Sequence, residues 1–179
     1  NSIDIRPNEI HIDSTMVVAG GFGQGDAAPI DEVRAKGYEN GINVEPVGVK
    51  YPGQMGLGPG EMTMDQSGDL GEADMYNKYL VSRNAGMPTH LVGYSEGSLV
   101  AVRTANRIAA ENGGVLPADV KVTLIGSPYS RDGIGNSIYG KAAAPITNAM
   151  GIVLDERPPA GTEIIYMDTD PYANAANMK

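Results

Sequence analysis

The chain has 179 residues, 41% of them hydrophobic, with a formal net charge of −9 and a pI near 4.6. That length suits one domain around one buried core, while the acidic balance disfavours nucleic acid and anionic membrane surfaces as partners, since both repel a negative chain within a Debye length. The absence of cysteine excludes disulfides and thiolate metal sites, and nothing else in the composition asks for a metal or a cofactor.

Residues 1–14 are mixed and polar, as expected of an extended arm or edge strand. Thr15 to Gly20 is an apolar run without alternation, which predicts a strand buried on both faces, and the loop Ala19 to Gly25 that follows is rich in glycine. Pro29 to Asn40 reads as a helix, with proline early and Gly41 at its end. Asn43 to Lys50 is a second strand, and Pro46 within it argues for a sheet edge or a bulge. Tyr51 to Thr63 is a Gly/Pro loop interspersed with Met55, Leu57 and Met62. A helix over Asp65–Asn84 follows, with Leu70, Ala73, Tyr76 and Leu80 spaced to share one face. Thr89–Tyr94 is a third strand, Glu96–Asn112 a helix burying Leu99, Val102, Ala105 and Ala109, Val120–Gly126 a fourth strand and Thr162–Met167 a fifth. Strands alternating with helices predict an α/β fold with a mainly parallel sheet of about five strands.

Gly93-Tyr94-Ser95-Glu96-Gly97 has the Gly-x-Ser-x-Gly pattern, and it stands between an apolar strand and an amphipathic helix, the setting that a nucleophile elbow requires. Small residues two before and two after the serine let a sharp turn close, and that turn lifts the hydroxyl above the carboxyl edge of the sheet. The following helix points free N–H groups at any developing negative charge. On this reading Ser95 is a nucleophile and the N–H of Glu96 is one oxyanion donor. The alternative is that Ser95 only caps a helix. A second donor is expected from the glycine loop after the first strand, at Phe22 or Gly23. A phosphate-binding role for that loop is disfavoured, because no Gly-Lys-Ser/Thr follows and G-x-G-x-x-G spacing is absent.

Serine needs a base, usually a histidine oriented by a carboxylate, in the chain order Ser, Asp/Glu, His. The fifth strand runs into Asp168-Thr169-Asp170-Pro171, which makes Asp170 the first choice of acid and Asp168 the second. The histidines are His11 and His90. His90 begins the strand that ends at Ser95, so it lies roughly 16 Å away at ~3.3 Å per residue, and His11 would need the N-terminal arm to cross the top of the sheet. The expected base is therefore a histidine beyond Lys179, in a longer parent chain, or else the site is degenerate. The start at Asn1 rather than Met points the same way, toward processing or excision from a longer protein. No signal-peptide pattern opens the chain, and no apolar run approaches the ~20 residues of a spanning helix.

Several segments in this order resemble the PE-PPE domain, a serine α/β-hydrolase of mycobacteria and related actinobacteria that is similar to cutinases. They are VVAGGFG at 17–23, Val49-Lys50-Tyr51-Pro52 followed by Asp65-Gln66-Ser67, Gly93 to Ser98, Leu124-Ile125-Gly126-Ser127-Pro128 with Arg131, Gly133 and Ile134, and Asp170-Pro171-Tyr172-Ala173. The resemblance covers roughly Met16 to Asn174. It implies a cutinase-like α/β-hydrolase fold, a three-layer sandwich over 15–179 without the segment that carries the family's histidine. It also implies hydrolysis or transfer of acyl esters, lipid or acyl-sugar, outside the cell, in its envelope or in a virion. The loop Tyr51–Met64 and the segment after Gly126 are then expected to line an apolar acyl pocket, since methionine adapts to flexible chains. A hydrolase-fold module kept for binding or assembly is the alternative.

Overall fold

A computed structural model describes residues 14–21, 23, 44–54, 56, 58–126 and 156–165. Within them the elements are β1 (Ser14–Ala19), β2 (Val44–Gly48), α1 (Met64–Asn84), β3 (Thr89–Tyr94), α2 (Gly97–Glu111), β4 (Val120–Ile125) and β5 (Glu163–Ile165). The strands form one sheet in the order β2-β1-β3-β4-β5, and every pairing is parallel. The chain leaves β1 toward β2 on one side and leaves β3 toward β4 on the other. A sheet of this order opens a crevice between β1 and β3, outside their carboxyl ends, where open α/β sheets hold ligands.

Burial follows from that position. Thr15 to Ala19 and Leu91 to Gly93 are buried with no polar alternation, because a central parallel strand is covered on both faces. Val17, Ala19, Leu91, Val122 and Leu124 pack with α1 and α2, while Met16, Val18, Val92 and Ile125 form a second cluster on the opposite face. Pro46 pairs in register with Met16 on β2, the outermost described strand on that side, where a missing N–H removes no bond from a further neighbour. The expected helix over 29–40 and the rest of the second face of a sandwich lie outside the described residues.

The face that α1 buries differs from the one expected. Its buried residues are Met64, Ser67, Gly68, Gly71, Met75, Tyr79 and Ser82, whereas Leu70 is 48% exposed and Ala73 is exposed; Tyr76 and Leu80 are half-buried. The reason is close approach between helices. A Cβ on Gly71 would lie 2.6 Å from Val100 Cγ2, and one on Gly68 2.9 Å from Leu99 Cδ2. Two glycines thus form the contact, and a reading that follows large apolar side chains rotates the helix by about a residue.

Polar contacts fix the same orientation. The Arg103 guanidinium is buried on α2 and reaches the Asp65 carboxylate, the Asp69 carboxylate at 2.8 Å and the Asp65 carbonyl at 3.0 Å. Thr63 and Gln66 close a reciprocal capping box at the start of α1, which satisfies two backbone donors that would otherwise be unpaired. At the far end of α2, the Gly114 N–H returns to the Ala109 carbonyl at 2.8 Å, so the Asn112-Gly113-Gly114 stop forms as expected.

Candidate active site

Ser95 directly follows β3, at the carboxyl edge of the sheet and at the β1/β3 crevice. It has φ of +53°, and it is the sole non-glycine residue with positive φ among the described residues. That left-handed backbone costs about 1–2 kcal/mol for a residue with a Cβ, so neighbouring contacts must hold it. The Ser95 N–H donates to the Ile125 carbonyl at 2.8 Å, which extends the β3/β4 pairing by one residue, and the Ser95 carbonyl accepts from Ser98 N–H at 3.0 Å.

The flanking glycines are required by contact. A Cβ on Gly97 would lie 2.2 Å from the Ala19 carbonyl oxygen and 2.6 Å from that of Gly20, and one on Gly93 would lie 2.6 Å from Ser98 Cα. The turn therefore closes directly onto the end of β1 and the start of the glycine loop. Helix α2 has Glu96 at its N-cap and no side-chain cap hydrogen bond, so capping does not account for the serine. No backbone acceptor among the described residues takes the N–H of Glu96.

The glycine loop is tied in place by the segment after β2. The buried Tyr51 hydroxyl donates to the Gly20 carbonyl, and Gly23 N–H donates to the Gly53 carbonyl at 3.0 Å. That segment is itself fastened to α1, with Lys50 N–H on Asp74 Oδ2 at 2.7 Å and Gln54 N–H on Ser67 Oγ at 3.2 Å. The bond between Gly23 and Gly53 bears on the expected oxyanion donors. With its N–H engaged by Gly53, Gly23 is withdrawn as a candidate, and Phe22, outside the described residues, remains.

Glu96 carries a feature that its place in the motif did not announce. The residue is 5% exposed, and neither carboxyl oxygen has a hydrogen-bond partner among the described residues. Loss of hydration pushes the carboxyl up to about 8, so it holds its proton at neutral pH. The Tyr51 phenol is raised as well, first by its own burial and then by the nearby Glu96 carboxyl.

His90 sits at the other end of β3, with Nε2 2.7 Å from Thr123 Oγ1. Burial, and then Lys121 on the adjacent strand, lowers it to about 4. Five residues of strand separate it from Ser95, roughly 16 Å at ~3.3 Å each, and it joins no constellation with the serine. A cavity of about 190 Å³ also lies at this amino edge, between the carboxyl ends of α1 and α2, lined by Tyr79, Leu80, Arg83, Ile108, Asn112 and Pro117 among others.

His11, Asp168, Asp170 and the segment after Gly126 lie outside the described residues. In the Tyr51–Met64 loop, Met64 is a core residue and Met62 is 39% exposed, so one of the loop's methionines serves packing and another faces solvent. No helix of the described residues is long and apolar enough to cross a membrane, and no cluster of three or more His, Asp or Glu among them could hold a metal. Sequence reasoning missed the Tyr51 tie and the buried Glu96 carboxyl. A tyrosine-proline pair ending an edge strand, and a carboxylate between small residues, were the available signals.

Known structures share this architecture. The catalytic core domain of acetyl xylan esterase from Trichoderma reesei superposes with a TM-score of 0.59 at 16% identity, over 93% of this chain and 88% of that one. Lysin B from Mycobacteriophage D29 gives a TM-score of 0.58 at 17% identity, over 90% of this chain and 66% of the lysin. At such identities the likeness is one of fold, and it makes the architecture that of an α/β-hydrolase. No curated protein matches the sequence significantly. A model of the PE-PPE domain matches residues 43–175, from β2 through Ser95 to beyond β5, and the chain belongs to the PE-PPE domain family.

Proposed function

We propose that the protein is a serine ester hydrolase acting on acyl esters of lipids or sugars, with Ser95 as nucleophile. The observation that carries this reading is the Ser95 backbone, held in the left-handed region at the β1/β3 crevice. A strained serine is retained where its exposure serves chemistry. Ser95 Oγ attacks the acyl carbonyl as its proton passes to a histidine, and the tetrahedral oxyanion is held by the N–H of Glu96 and that of Phe22. Collapse expels the alcohol, which takes the proton from the histidine. Water then attacks the acyl-serine by the same route and releases the acid. Asp170 orients the histidine. His90 is too far to be that base, so the reading needs a histidine other than His90. An envelope or extracellular location fits the family and the fold shared with a phage lysin.

The test is hydrolysis of p-nitrophenyl butyrate by the natural full-length protein and by its Ser95→Ala variant. A loss of at least ~10³-fold is expected on removing a triad member, and equal turnover of the two proteins would falsify the assignment. A module kept for binding is the second reading, favoured by the two-histidine sequence. It predicts no Ser95-dependent turnover at all.

A further inference from the structure

The Glu96 carboxyl is a buried, ionisable group that the mechanism above does not use, since only the backbone N–H of Glu96 enters it. Burying a carboxyl without hydrogen bonds is expensive, and burying a carboxylate without a cation is far more so. A neutral acid is the form compatible with 5% exposure and two oxygens that no described residue partners. This group follows Ser95 directly and lies at the N-terminus of the fifteen-residue helix α2. Tyr51 and the turn that carries Glu96 meet at the Gly20 carbonyl, which accepts from the Tyr51 hydroxyl and lies 2.6 Å from where a Cβ on Gly97 would stand; the Tyr51 phenol accordingly responds to the Glu96 charge, and no described cation influences Glu96.

Tyr51 gives this arrangement a second state. Its single hydroxyl proton is directed at the Gly20 carbonyl, tying down the start of the glycine loop. A carboxylate is a stronger acceptor than a carbonyl, because a charged partner roughly doubles the strength of a hydrogen bond. Once ionised, Glu96 therefore competes with Gly20 for that proton. We propose, resting on the ester-hydrolase reading, that Glu96 is a positioning residue whose uncharged carboxyl leaves the Tyr51 hydroxyl on Gly20, and that losing its proton loosens the glycine loop and opposes the oxyanion. Two effects add in the ionised state. The loop that supplies the second donor loses one of its two ties, keeping that between Gly23 and Gly53, and a negative charge sits on the residue whose own N–H must stabilise another.

The expected signature is an alkaline limb in kcat/KM with a midpoint near 8, falling about tenfold per pH unit once the group ionises. Glu96→Gln keeps the shape and removes the titration, so its profile should continue flat through that region. Tyr51→Phe removes the tie in both states, and should show lowered kcat at neutral pH and a shallower limb. The companion measurement needs no turnover. In protein labelled with ¹³C at the glutamate carboxyl and ¹⁵N at the amides, one carboxyl signal and the amide signals of Gly20, Gly23 and Glu96 should titrate together near pH 8, in Ser95→Ala as in the parent.

An unshifted glutamate titration, with every carboxyl ionising in the ordinary range, overturns the proposal whether or not the protein is active. So does a Glu96→Gln profile with the same alkaline limb as the parent. If turnover proves independent of Ser95 while the carboxyl titrates near 8 and moves the loop amides, the hydrolase reading fails and the coupling of Glu96 to the loop stands. Should Glu96→Gln not fold, the carboxyl titration in the unmodified protein decides alone.

Discussion

The two ends of β3 each hold an ionisable side chain, half-buried at His90 and buried at Glu96, that loss of hydration keeps neutral. At the amino end, His90 is lowered to about 4 and bonds to Thr123; at the carboxyl end, Glu96 is raised to about 8 and its carboxyl bonds to none of the described residues. Their surroundings differ accordingly. The amino edge is a finished structure, in which Arg83 bonds the Tyr79 hydroxyl at 2.9 Å and Glu111 accepts from Tyr76 at 2.6 Å. The carboxyl edge gathers the positive φ of Ser95, the close approach at Gly97 and an unengaged N–H at Glu96. Among the described residues, strain and unmet hydrogen-bonding capacity mark one end of the strand and not the other, as expected if the carboxyl end carries the proposed chemistry.

The largest effect expected from breaking this contrast is on activity. Ser95→Ala in the full-length protein should cost at least ~10³-fold in turnover of a p-nitrophenyl ester, whereas His90→Gln should leave kcat within about twofold. If the base comes from outside these 179 residues, Ser95→Ala should change little in them alone, because members of a triad do not act additively. Rates that respond to His90 as strongly as to Ser95 would remove the distinction between the two ends.

Stability comes next. Gly97→Ala drives a methyl into the backbone of Ala19 and Gly20, where no flexible side chain can yield, and should cost about 3 kcal/mol or more, at the upper end of overpacking penalties. Gly71→Ala meets Val100 and Tyr51 side chains, which can shift, so about 1–3 kcal/mol is expected. Urea denaturation orders the two, and a Gly97→Ala protein as stable as the parent would contradict the close packing of the elbow on β1.

The pH dependence of stability carries opposite signs at the two ends. His90 in the unfolded chain takes a proton near 6.5 and in the folded chain only near 4, so its contribution falls as pH drops through that window. Glu96 ionises near 4.5 when unfolded and near 8 when folded, so its contribution is full below about 4.5 and falls as pH rises toward 8. His90→Gln should flatten the acid side, and Glu96→Gln the other. The smallest effect belongs to Tyr51→Phe, which deletes one buried hydrogen bond to Gly20 and should cost about 1 kcal/mol in the same denaturation measurement.

Much of this contrast was legible in the residue order. Thr89–Tyr94 was read with its final boundaries, because an apolar run meeting a Gly-x-Ser-x-Gly turn leaves little choice of where the strand ends. The separation of His90 from Ser95 needed only the rise per residue of a strand. What escaped was set by neighbours distant in sequence. The buried face of α1 was misread because Gly68 and Gly71 make its contacts, and a glycine gives no apolar signal. Gly23 was offered beside Phe22 as a donor because the claim of Gly53 on its N–H, thirty residues away, has no local trace. Glu96 was read for its N–H alone, since the burial of its carboxyl is set by the tertiary fold and leaves no trace in the motif.

The central claim, that Ser95 is an activated nucleophile, is most directly tested by covalent labelling. The natural full-length protein would be treated with a p-nitrophenyl alkylphosphonate and digested for mass spectrometry. The account predicts one adduct, on the peptide containing Ser95, with stoichiometric release of p-nitrophenol and neither adduct nor release in Ser95→Ala. An unlabelled Ser95, or an adduct on another residue at the same rate, would contradict it.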